Sequence, residues 1–139
     1  TERVRAYAKY FDSEFVICDK IREKANEVKS VQVIGEVKGK DVIIVDDLID
    51  TGGTIAMASN VIMEKGAKSV RAIITHPVLS GNADENLNNS SLIELVVTDS
   101  IPVNVRNKKI KVLSIAGLFA KAIRKIHENE STSSLFINR

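Results

Sequence analysis

Residues 41–54 restrict the fold of this chain more than any other segment. Residues 42–45 read Val-Ile-Ile-Val, an uninterrupted β-branched run that is typical of a strand buried on both faces of a parallel sheet. Two carboxylates, Asp46 and Asp47, end the run. Small polar residues follow, and a helical pattern begins near Ile55. The segment therefore predicts a strand, a short turn and a helix in immediate succession.

The turn between that strand and helix has the composition of an anion-binding site. It consists of Asp50, Thr51, Gly52, Gly53 and Thr54. The first N–H groups of a helix have no partner within it, and the helix dipole adds partial positive charge, so a phosphate is favoured there. Glycines let the backbone approach the anion closely, and the threonine hydroxyls can donate hydrogen bonds to it.

The two acids before the turn indicate a second part of the ligand. Asp46 and Asp47 would repel a phosphate, whereas carboxylates at the carboxyl end of a strand suit sugar hydroxyls or a divalent cation. The segment thus predicts a site for a phosphorylated sugar. The alternative is an ordinary corner between strand and helix, in which the aspartates only cap the helix.

The remaining chain alternates between strand and helix patterns. Helices are predicted around Ala8, after Ile55 until Gly66 ends that helix as its C′ residue, within 84–91, and over 115–126. Strands are predicted at 15–18, 31–37, 70–74, 92–97 and 111–115. We therefore expect an α/β fold, with a mostly parallel sheet flanked by helices and a ligand over the carboxyl ends of its strands.

Composition excludes several classes of function. The chain has 139 residues, a net charge of +2 and 4% aromatic residues without Trp, which argues against a general nucleic-acid binder. No apolar run is long enough to cross a membrane. The single Cys18 cannot form an internal disulfide and indicates a reducing, cytoplasmic location.

Two further features need context to interpret. Residues 20–30 are charged and lack apolar periodicity, which predicts an exposed loop or ribbon. His76 follows the strand at 70–74 and shares an edge with the aspartates if the sheet is parallel. It could act as a ligand or general base, or simply form a hydrogen bond at the strand end.

Residues 45–54 resemble the ribose 5-phosphate loop of type I phosphoribosyltransferases. Residues 18–22, 33–40, 75–81 and 133–136 extend the resemblance to the carboxyl-terminal domain of ribose-phosphate pyrophosphokinases, in order and spacing. The resemblance covers essentially the whole chain and about the second half of a family member. It implies one phosphoribosyltransferase-like domain at 1–139, preceded in the family by a strand and an amino-terminal domain that this chain lacks, so that the chain alone should be nearly inactive.

The resemblance also implies a reaction, in which the pyrophosphoryl group of ATP moves to the C1 hydroxyl of ribose 5-phosphate. The products are AMP and phosphoribosyl pyrophosphate, the cofactor is Mg²⁺, and the family forms homo-oligomers, typically hexamers. By the same resemblance, Lys20 and Arg22 are catalytic, and ribose 5-phosphate is bound by Arg22, Asp46, Asp47, Asp50, Thr51, Gly52, Gly53 and Thr54. Ser133 and Phe136 correspond to a regulatory nucleotide site, and metal ligands are expected outside this chain. Many bacterial members carry Arg where this chain has Ile21.

Three alternatives share parts of this pattern. A nucleobase phosphoribosyltransferase would keep the turn at 50–54 without needing Lys20, Arg22 or the regulatory tail. A non-catalytic regulatory paralogue would keep the fold, and retention of Lys20 and Arg22 argues against it. A sugar-phosphate-responsive domain would bind the ligand without chemistry.

Overall fold

The computed structural model describes residues 2–24 and 27–136, and for residues 2, 3, 20–24 and 27–29 it describes the backbone alone. Within the described residues the elements follow one another in chain order. They are α1 (Glu2–Tyr10), β1 (Ile17–Lys24), β2 (Glu27–Ile34), β3 (Asp41–Ile49), α2 (Gly53–Glu64), β4 (Ser69–Pro77), α3 (Ala83–Asn88), β5 (Glu94–Thr98), β6 (Ile110–Leu113), α4 (Ala116–His127) and a 3₁₀ helix (Ser133–Leu135). None of the helices in this described part is long and apolar enough to cross a membrane.

The described residues group into two compact units. Val16–Leu113 form the larger unit, which contains all six strands with α2 and α3. The second unit comprises the described residues on either side, with α1, α4 and the 3₁₀ helix. Within it, the Arg5 guanidinium lies over the Phe15 ring, 5.4 Å from its centroid. The single-domain organisation over residues 1–139 stays a prediction.

A four-stranded parallel sheet, in the order β3-β4-β5-β6, organises the larger unit. β3 and β4 are in register from Asp41 opposite Ser69 to Ile49 opposite Pro77. Helix α2 connects β3 to β4 and α3 connects β4 to β5, as parallel pairing requires. The predicted α/β fold with a mostly parallel sheet and helices is confirmed.

One face of this sheet packs into the core. Along β4, Val70, Ala72 and Ile74 are buried while Ile73 between them is exposed, because successive strand side chains point to opposite faces. The same core contains residues of β5 and α2, including Ile62, whose complete burial contributes about 1.5–3 kcal/mol.

The prediction that residues 42–45 are buried on both faces is wrong at one position. Val42 and Ile44 pack against the core, whereas Ile43 is 57% exposed. β3 is paired on one side only, with β4, in the described sheet. Its alternating side chains bury toward the helices on one face, so an unbroken apolar run did not mean burial on both.

β3 also continues past its predicted end. The strand runs through Asp46 and Asp47 to Ile49, since the ladder with β4 extends to Pro77. Ladder hydrogen bonds are made by the backbone, so two charged side chains do not end a strand whose neighbour continues.

The end of α2 agrees with the sequence prediction. Gly66 has a φ of 89° and lies just after the C-cap residue, Lys65. The N–H of Gly66 donates to the Met63 carbonyl at 2.9 Å and that of Ala67 to the Ile62 carbonyl at 3.3 Å. These are the two hydrogen bonds of a Schellman motif, in which glycine takes the left-handed position without steric cost.

β1 and β2 form a separate antiparallel ribbon. Cys18 is opposite Val33 in this pair, and the register shifts between Ile21 and Arg22. Of the two alternatives predicted for residues 20–30, the ribbon is the one observed on either side of residues 25 and 26. Val33, from β2, joins the core of the larger unit.

Polar side chains at the amino end of the four-stranded sheet bind one another. The Ser69 hydroxyl donates to the Asp41 carboxylate, and Arg71 Nη1 donates to the Ser69 hydroxyl oxygen at 3.0 Å. The hydrogen bond from Ser69 is the main cause that lowers the pKa of Asp41 below its ordinary value of 3.8, and the charges of Lys68 and Arg71 act in the same direction.

Lys109, just before β6, closes the end of α3. Its ammonium donates to the Leu87 carbonyl at 2.6 Å and to the Ser90 carbonyl at 2.9 Å, so a charged donor joins the last turn of α3 to the chain that follows it. Partial burial lowers the pKa of Lys109 below its ordinary value of 10.5.

Candidate functional site

A pocket of about 160 Å³ lies where β3 passes into α2. Pockets that enclose a whole drug-sized ligand measure about 300–1,000 Å³, so this one suits one end of a ligand. It is lined by Asp46, Leu48, Ile49, Asp50, Thr51, Gly52, Gly53, Thr54 and Ile55. All five residues predicted to bind a phosphate are therefore in one pocket with one of the two predicted acids.

We call residues 50–54 the glycine turn. Gly52 is the N-cap of α2, with φ 74° and ψ −5°, a left-handed conformation that favours glycine. No side chain caps this helix, and its first turn contains no acid. Its first intrahelical hydrogen bond runs from the Ala56 N–H to the Gly52 carbonyl at 2.9 Å, so the preceding N–H groups at the helix start are suited to an anion.

The uncapped start of α2 argues against the ordinary-corner interpretation. That interpretation required aspartate side chains to cap the helix, and none does. The Asp50 carboxylate accepts a hydrogen bond from the Ser80 hydroxyl and does not cap α2. The Asp46 carboxylate accepts one from the backbone N–H of Asp47 at 2.9 Å.

The structure separates the two predicted acids. Asp46 lines the pocket, and Asp47 is not among the lining residues. Successive side chains of a strand point to opposite faces, which accounts for the different positions of Asp46 and Asp47. The assignment of Asp47 to ribose 5-phosphate stays a prediction, and Asp46 is the better placed of the two.

A second chain segment contacts the glycine turn. The N–H groups of Val78 and Leu79 donate to the Ile49 carbonyl at 2.9 and 3.2 Å. Asn86 Nδ2, in α3, donates to the Thr51 carbonyl at 2.7 Å. Ser80 and Asn86 were not predicted as site residues, although Ser80 lies in the segment 75–81 that carried part of the family resemblance.

His76 lies at the same sheet edge as the aspartates, as the parallel pairing required. It is opposite Leu48, which lines the pocket, and its Nδ1 is 2.9 Å from the Ser100 hydroxyl. That hydroxyl also lies 3.1 Å from the Thr75 carbonyl, to which it donates. This agrees with the interpretation of His76 as a hydrogen-bonding residue at a strand end.

Four further residues were predicted to have functional roles, namely Lys20, Arg22, Ser133 and Phe136. Lys20 and Arg22 belong to β1, where the backbone is described, but their side chains lie outside the described part of the structure. Ser133 begins the 3₁₀ helix of the smaller unit, and Phe136 just after it is 71% exposed. Their assignments to catalysis and regulation stay predictions.

Comparisons with known proteins identify the family. The model of the phosphoribosyl synthetase-associated domain matches residues 10–137, which is most of the chain. This chain belongs to the phosphoribosyl synthetase-associated domain family. The sequence resemblance to ribose-phosphate pyrophosphokinases is thereby confirmed.

Individual members of the phosphoribosyl synthetase family are similar over nearly the whole chain. Ribose-phosphate pyrophosphokinase of Campylobacter jejuni is 53% identical over 135 residues, which is 97% of this chain and 44% of the relative. The enzyme of Helicobacter hepaticus is 54% identical over 134 residues, 96% of this chain and 43% of the relative. The chain therefore spans less than half the length of these relatives, and it corresponds to their carboxyl-terminal part.

A solved structure of the phosphoribosyl synthetase family agrees with the fold. The crystal structure of phosphoribosylpyrophosphate synthetase from Mycobacterium smegmatis superimposes with a TM-score of 0.78 at 41% identity, over 93% of this chain and 43% of that one. The α/β fold of this chain is thus similar to that of a solved member of the family.

Among the side chains that the structure describes, no group of three or more His, Cys, Asp or Glu residues could hold a metal ion. Asp46 supplies one carboxylate in the pocket, and Mg²⁺ in phosphate-transfer sites is bound by one or two carboxylates together with substrate oxygens and water. One carboxylate alone does not make a metal site, so the Mg²⁺ cofactor stays a prediction, with its ligands expected outside this chain.

Proposed function

We propose that this chain is the ribose 5-phosphate-binding, carboxyl-terminal domain of a ribose-phosphate pyrophosphokinase. The parent protein transfers the pyrophosphoryl group of ATP to ribose 5-phosphate, giving AMP and phosphoribosyl pyrophosphate for nucleotide biosynthesis. The observation that carries this proposal is the uncapped start of α2 in a pocket that also contains Asp46. Family membership supplies the reaction class.

The pocket separates the two polar parts of the sugar phosphate. The 5-phosphate binds at the glycine turn, through N–H groups at the start of α2 and the hydroxyls of Thr51 and Thr54. The ribose hydroxyls donate to the Asp46 carboxylate, with Asp47 in a supporting role. Charge-assisted hydrogen bonds of this kind orient the sugar so that its C1 hydroxyl is held for reaction.

In the reaction, the C1 hydroxyl oxygen attacks the β-phosphorus of ATP and loses its proton to water, and the bond from that phosphorus to the α,β-bridging oxygen breaks. AMP leaves with the bridging oxygen. The β1–β2 ribbon brings Lys20 and Arg22 to the transferring group, where two cations stabilise the charge of the transition state. Arg22 also contacts the bound sugar phosphate.

Mg²⁺ is the proposed cofactor, and when bound it neutralises part of the charge on the phosphates of ATP. We propose that the protein ligands of Mg²⁺ lie outside residues 1–139, as do the residues that recognise adenine. The parent protein acts in the cytoplasm as a homo-oligomer, a hexamer by family resemblance, and Ser133 and Phe136 contribute to its regulatory nucleotide site.

The test uses the complete parent protein. AMP release from ATP and Mg²⁺ is followed with and without ribose 5-phosphate. We expect release that depends on the sugar phosphate and is lost in Lys20→Ala. Lys68→Ala is the matched control, because Lys68 lies at the opposite end of the sheet beside Asp41, and it should leave the rate unchanged.

The alternatives give different results in the same assay. Binding of ribose 5-phosphate without AMP release would favour the regulatory paralogue or the sugar-phosphate-responsive domain. Consumption of phosphoribosyl pyrophosphate on addition of a nucleobase would instead identify a phosphoribosyltransferase.

A further inference from the structure

The glycine turn has few means of holding its own shape. Gly52 and Gly53 have no side chains, and glycine backbones reach more conformations than those of any other residue. Gly52 must nevertheless stay at a φ of 74° for the first N–H groups of α2 to remain at the pocket. Contacts from outside the turn are therefore needed to fix it.

Residues 78–86, which we call the supporting segment, provide such contacts to three consecutive residues. The Val78 N–H donates to the Ile49 carbonyl at 2.9 Å. The Ser80 hydroxyl donates to the Asp50 carboxylate, and Asn86 Nδ2 donates to the Thr51 carbonyl. The segment thus fixes the chain at the residue before the turn and at its first two positions.

The hydrogen bond from Asn86 sets the direction of one peptide in the turn. The Thr51 carbonyl and the Gly52 N–H belong to the same planar trans peptide, so they point in opposite directions. Holding the carbonyl toward Asn86 at 2.7 Å therefore turns the Gly52 N–H away from α3. A free Thr51 carbonyl could rotate toward the anion and repel it.

The hydrogen bond from Ser80 fixes the position of a negatively charged side chain in the turn. Asp50 is the first residue of the glycine turn, and its carboxylate would repel a phosphate if it approached the α2 N–H groups. The Ser80 hydroxyl holds the Asp50 carboxylate on the side of the supporting segment. The turn can then contain an acid and still bind an anion.

The supporting segment is itself anchored in the core. Ala83 and Leu87 of α3 are fully buried on either side of Asn86 in sequence. An ideal Cβ placed on Gly52 would lie 3.8 Å from the Ala83 carbonyl oxygen and 3.8 Å from Asn86 Cβ, so the turn and α3 are within van der Waals reach. A rigid helix is a better support than a loop for positioning a binding group.

We infer that Ser80 and Asn86 are positioning residues, which hold the glycine turn in its phosphate-binding conformation without contacting the substrate. The inference rests on the proposed function, because it takes the turn as the 5-phosphate site. It assigns the phosphate affinity of this domain partly to a segment about 30 residues farther along the chain.

The test measures binding directly, by calorimetric titration of the complete parent protein with ribose 5-phosphate and, separately, with ATP and Mg²⁺. For Asn86→Ala we expect the Kd for ribose 5-phosphate to rise about tenfold, since one hydrogen bond is worth about that factor. The Kd for ATP should stay unchanged. Ser80→Ala should weaken ribose 5-phosphate binding similarly, and Ser80→Thr, which keeps the hydroxyl, should restore it.

Asn88→Ala is the matched control. Asn88 lies in the same helix, but its side chain contacts Asp84 and Asn107 instead of the turn. Equal weakening by Asn86→Ala and Asn88→Ala would overturn the inference, because it would indicate general damage to α3. Weakened binding of both ligands, or no effect of Asn86→Ala, would overturn it as well.

The same measurements separate the inference from the proposed function. If the wild type binds ribose 5-phosphate but releases no AMP, the proposed reaction fails and the positioning role is still tested by the titrations. If the wild type does not bind ribose 5-phosphate, the sugar-phosphate site and the positioning role both fail.

Discussion

The two ends of the four-stranded sheet use similar polar residues for different purposes. At the amino end, Asp41 accepts from Ser69, Arg71 donates to Ser69, and Lys109 closes the end of α3. At the carboxyl end, Ser80 and Asn86 also make hydrogen bonds, but they act on the turn that precedes an uncapped helix.

The two ends of the sheet differ in what their polar groups bind. At the amino end, donors and acceptors of the protein satisfy one another, so these hydrogen bonds contribute to the free energy of folding. At the carboxyl end, Ser80 and Asn86 bind the residues just before a helix start that no side chain caps. Under the proposed function, similar serines and aspartates therefore stabilise the fold at one end and shape a phosphate-binding turn at the other.

The largest expected effect is on catalysis, and it distinguishes an Asp→Asn substitution made at Asp46, near the carboxyl end of β3, from the same substitution at Asp41, its first residue. In the complete parent protein, Asp46→Asn should lower kcat/KM for ribose 5-phosphate about 100-fold, since it removes charge-assisted hydrogen bonds worth about 1.5–3 kcal/mol. Asp41→Asn should leave kcat/KM nearly unchanged. Steady-state AMP release measures both, and equal losses would remove the functional distinction between the two ends.

A second prediction concerns stability at the amino end. Lys109→Met keeps most of the apolar stem but leaves the carbonyls of Leu87 and Ser90 without their charged donor, so the free energy of unfolding should fall by about 2 kcal/mol. Lys111→Met is the control. Lys111 pairs with Glu94 at 2.5 Å on the surface, where an ion pair contributes at most about 1 kcal/mol. Urea denaturation distinguishes the two, and a larger loss for Lys111→Met would contradict this account.

A third prediction compares adjacent glycines of the turn. Gly52→Ala forces a side chain into a left-handed conformation and should cost about 1 kcal/mol of stability. Gly53 is in the first turn of α2 and has no positive φ, so Gly53→Ala should not destabilise the fold. Thermal denaturation of both variants tests whether the left-handed conformation of Gly52 is what makes the glycine turn sensitive to substitution. Equal destabilisation would show that it is not.

The smallest expected effect is the pH dependence of the contribution that Asp41 makes to stability. Its pKa is lowered in the folded state, chiefly by the Ser69 hydroxyl, so the folded protein binds the proton less readily than the unfolded chain does. The stabilisation is therefore present above the unfolded pKa, near 3.8, and is lost as the pH falls through the folded-state pKa. The stability difference between wild type and Asp41→Asn should shrink below about pH 4. A difference that stayed constant down to pH 2 would contradict this cause.

Local patterns predicted the parts of the fold that local chemistry determines. Gly66 was predicted to end α2 because a left-handed C′ position favours glycine, and it does so. The extension of β3 to Ile49 and the exposure of Ile43 were not predicted. Both depend on β4 and on which face the helices cover, and neither is encoded in residues 41–49 themselves.

The same distinction between local and long-range contacts applies to the candidate site. Residues 50–54 were predicted as an anion site because the groups that would form such a site at a helix start are contiguous in sequence, and the structure brings all five into one pocket. Ser80 and Asn86 bind Asp50 and Thr51 from 30 and 35 positions away in sequence, and neither a serine in a loop nor an asparagine in a short helix has a sequence pattern that predicts such a contact. Only the packing of α3 brings them to the turn.

The Schellman motif after α2 has a consequence for changes in chain length. The Gly39 N–H donates to the Gly66 carbonyl at 2.8 Å and the Lys68 N–H to the Lys40 carbonyl at 2.8 Å, so the turns that start β3 and β4 are joined. A single-residue insertion between Gly66 and Ser69 would shift β4 by one position and exchange its two faces. Leu48 would then lie opposite a residue other than His76. Natural variants of this domain should therefore tolerate substitutions in that turn far better than insertions or deletions.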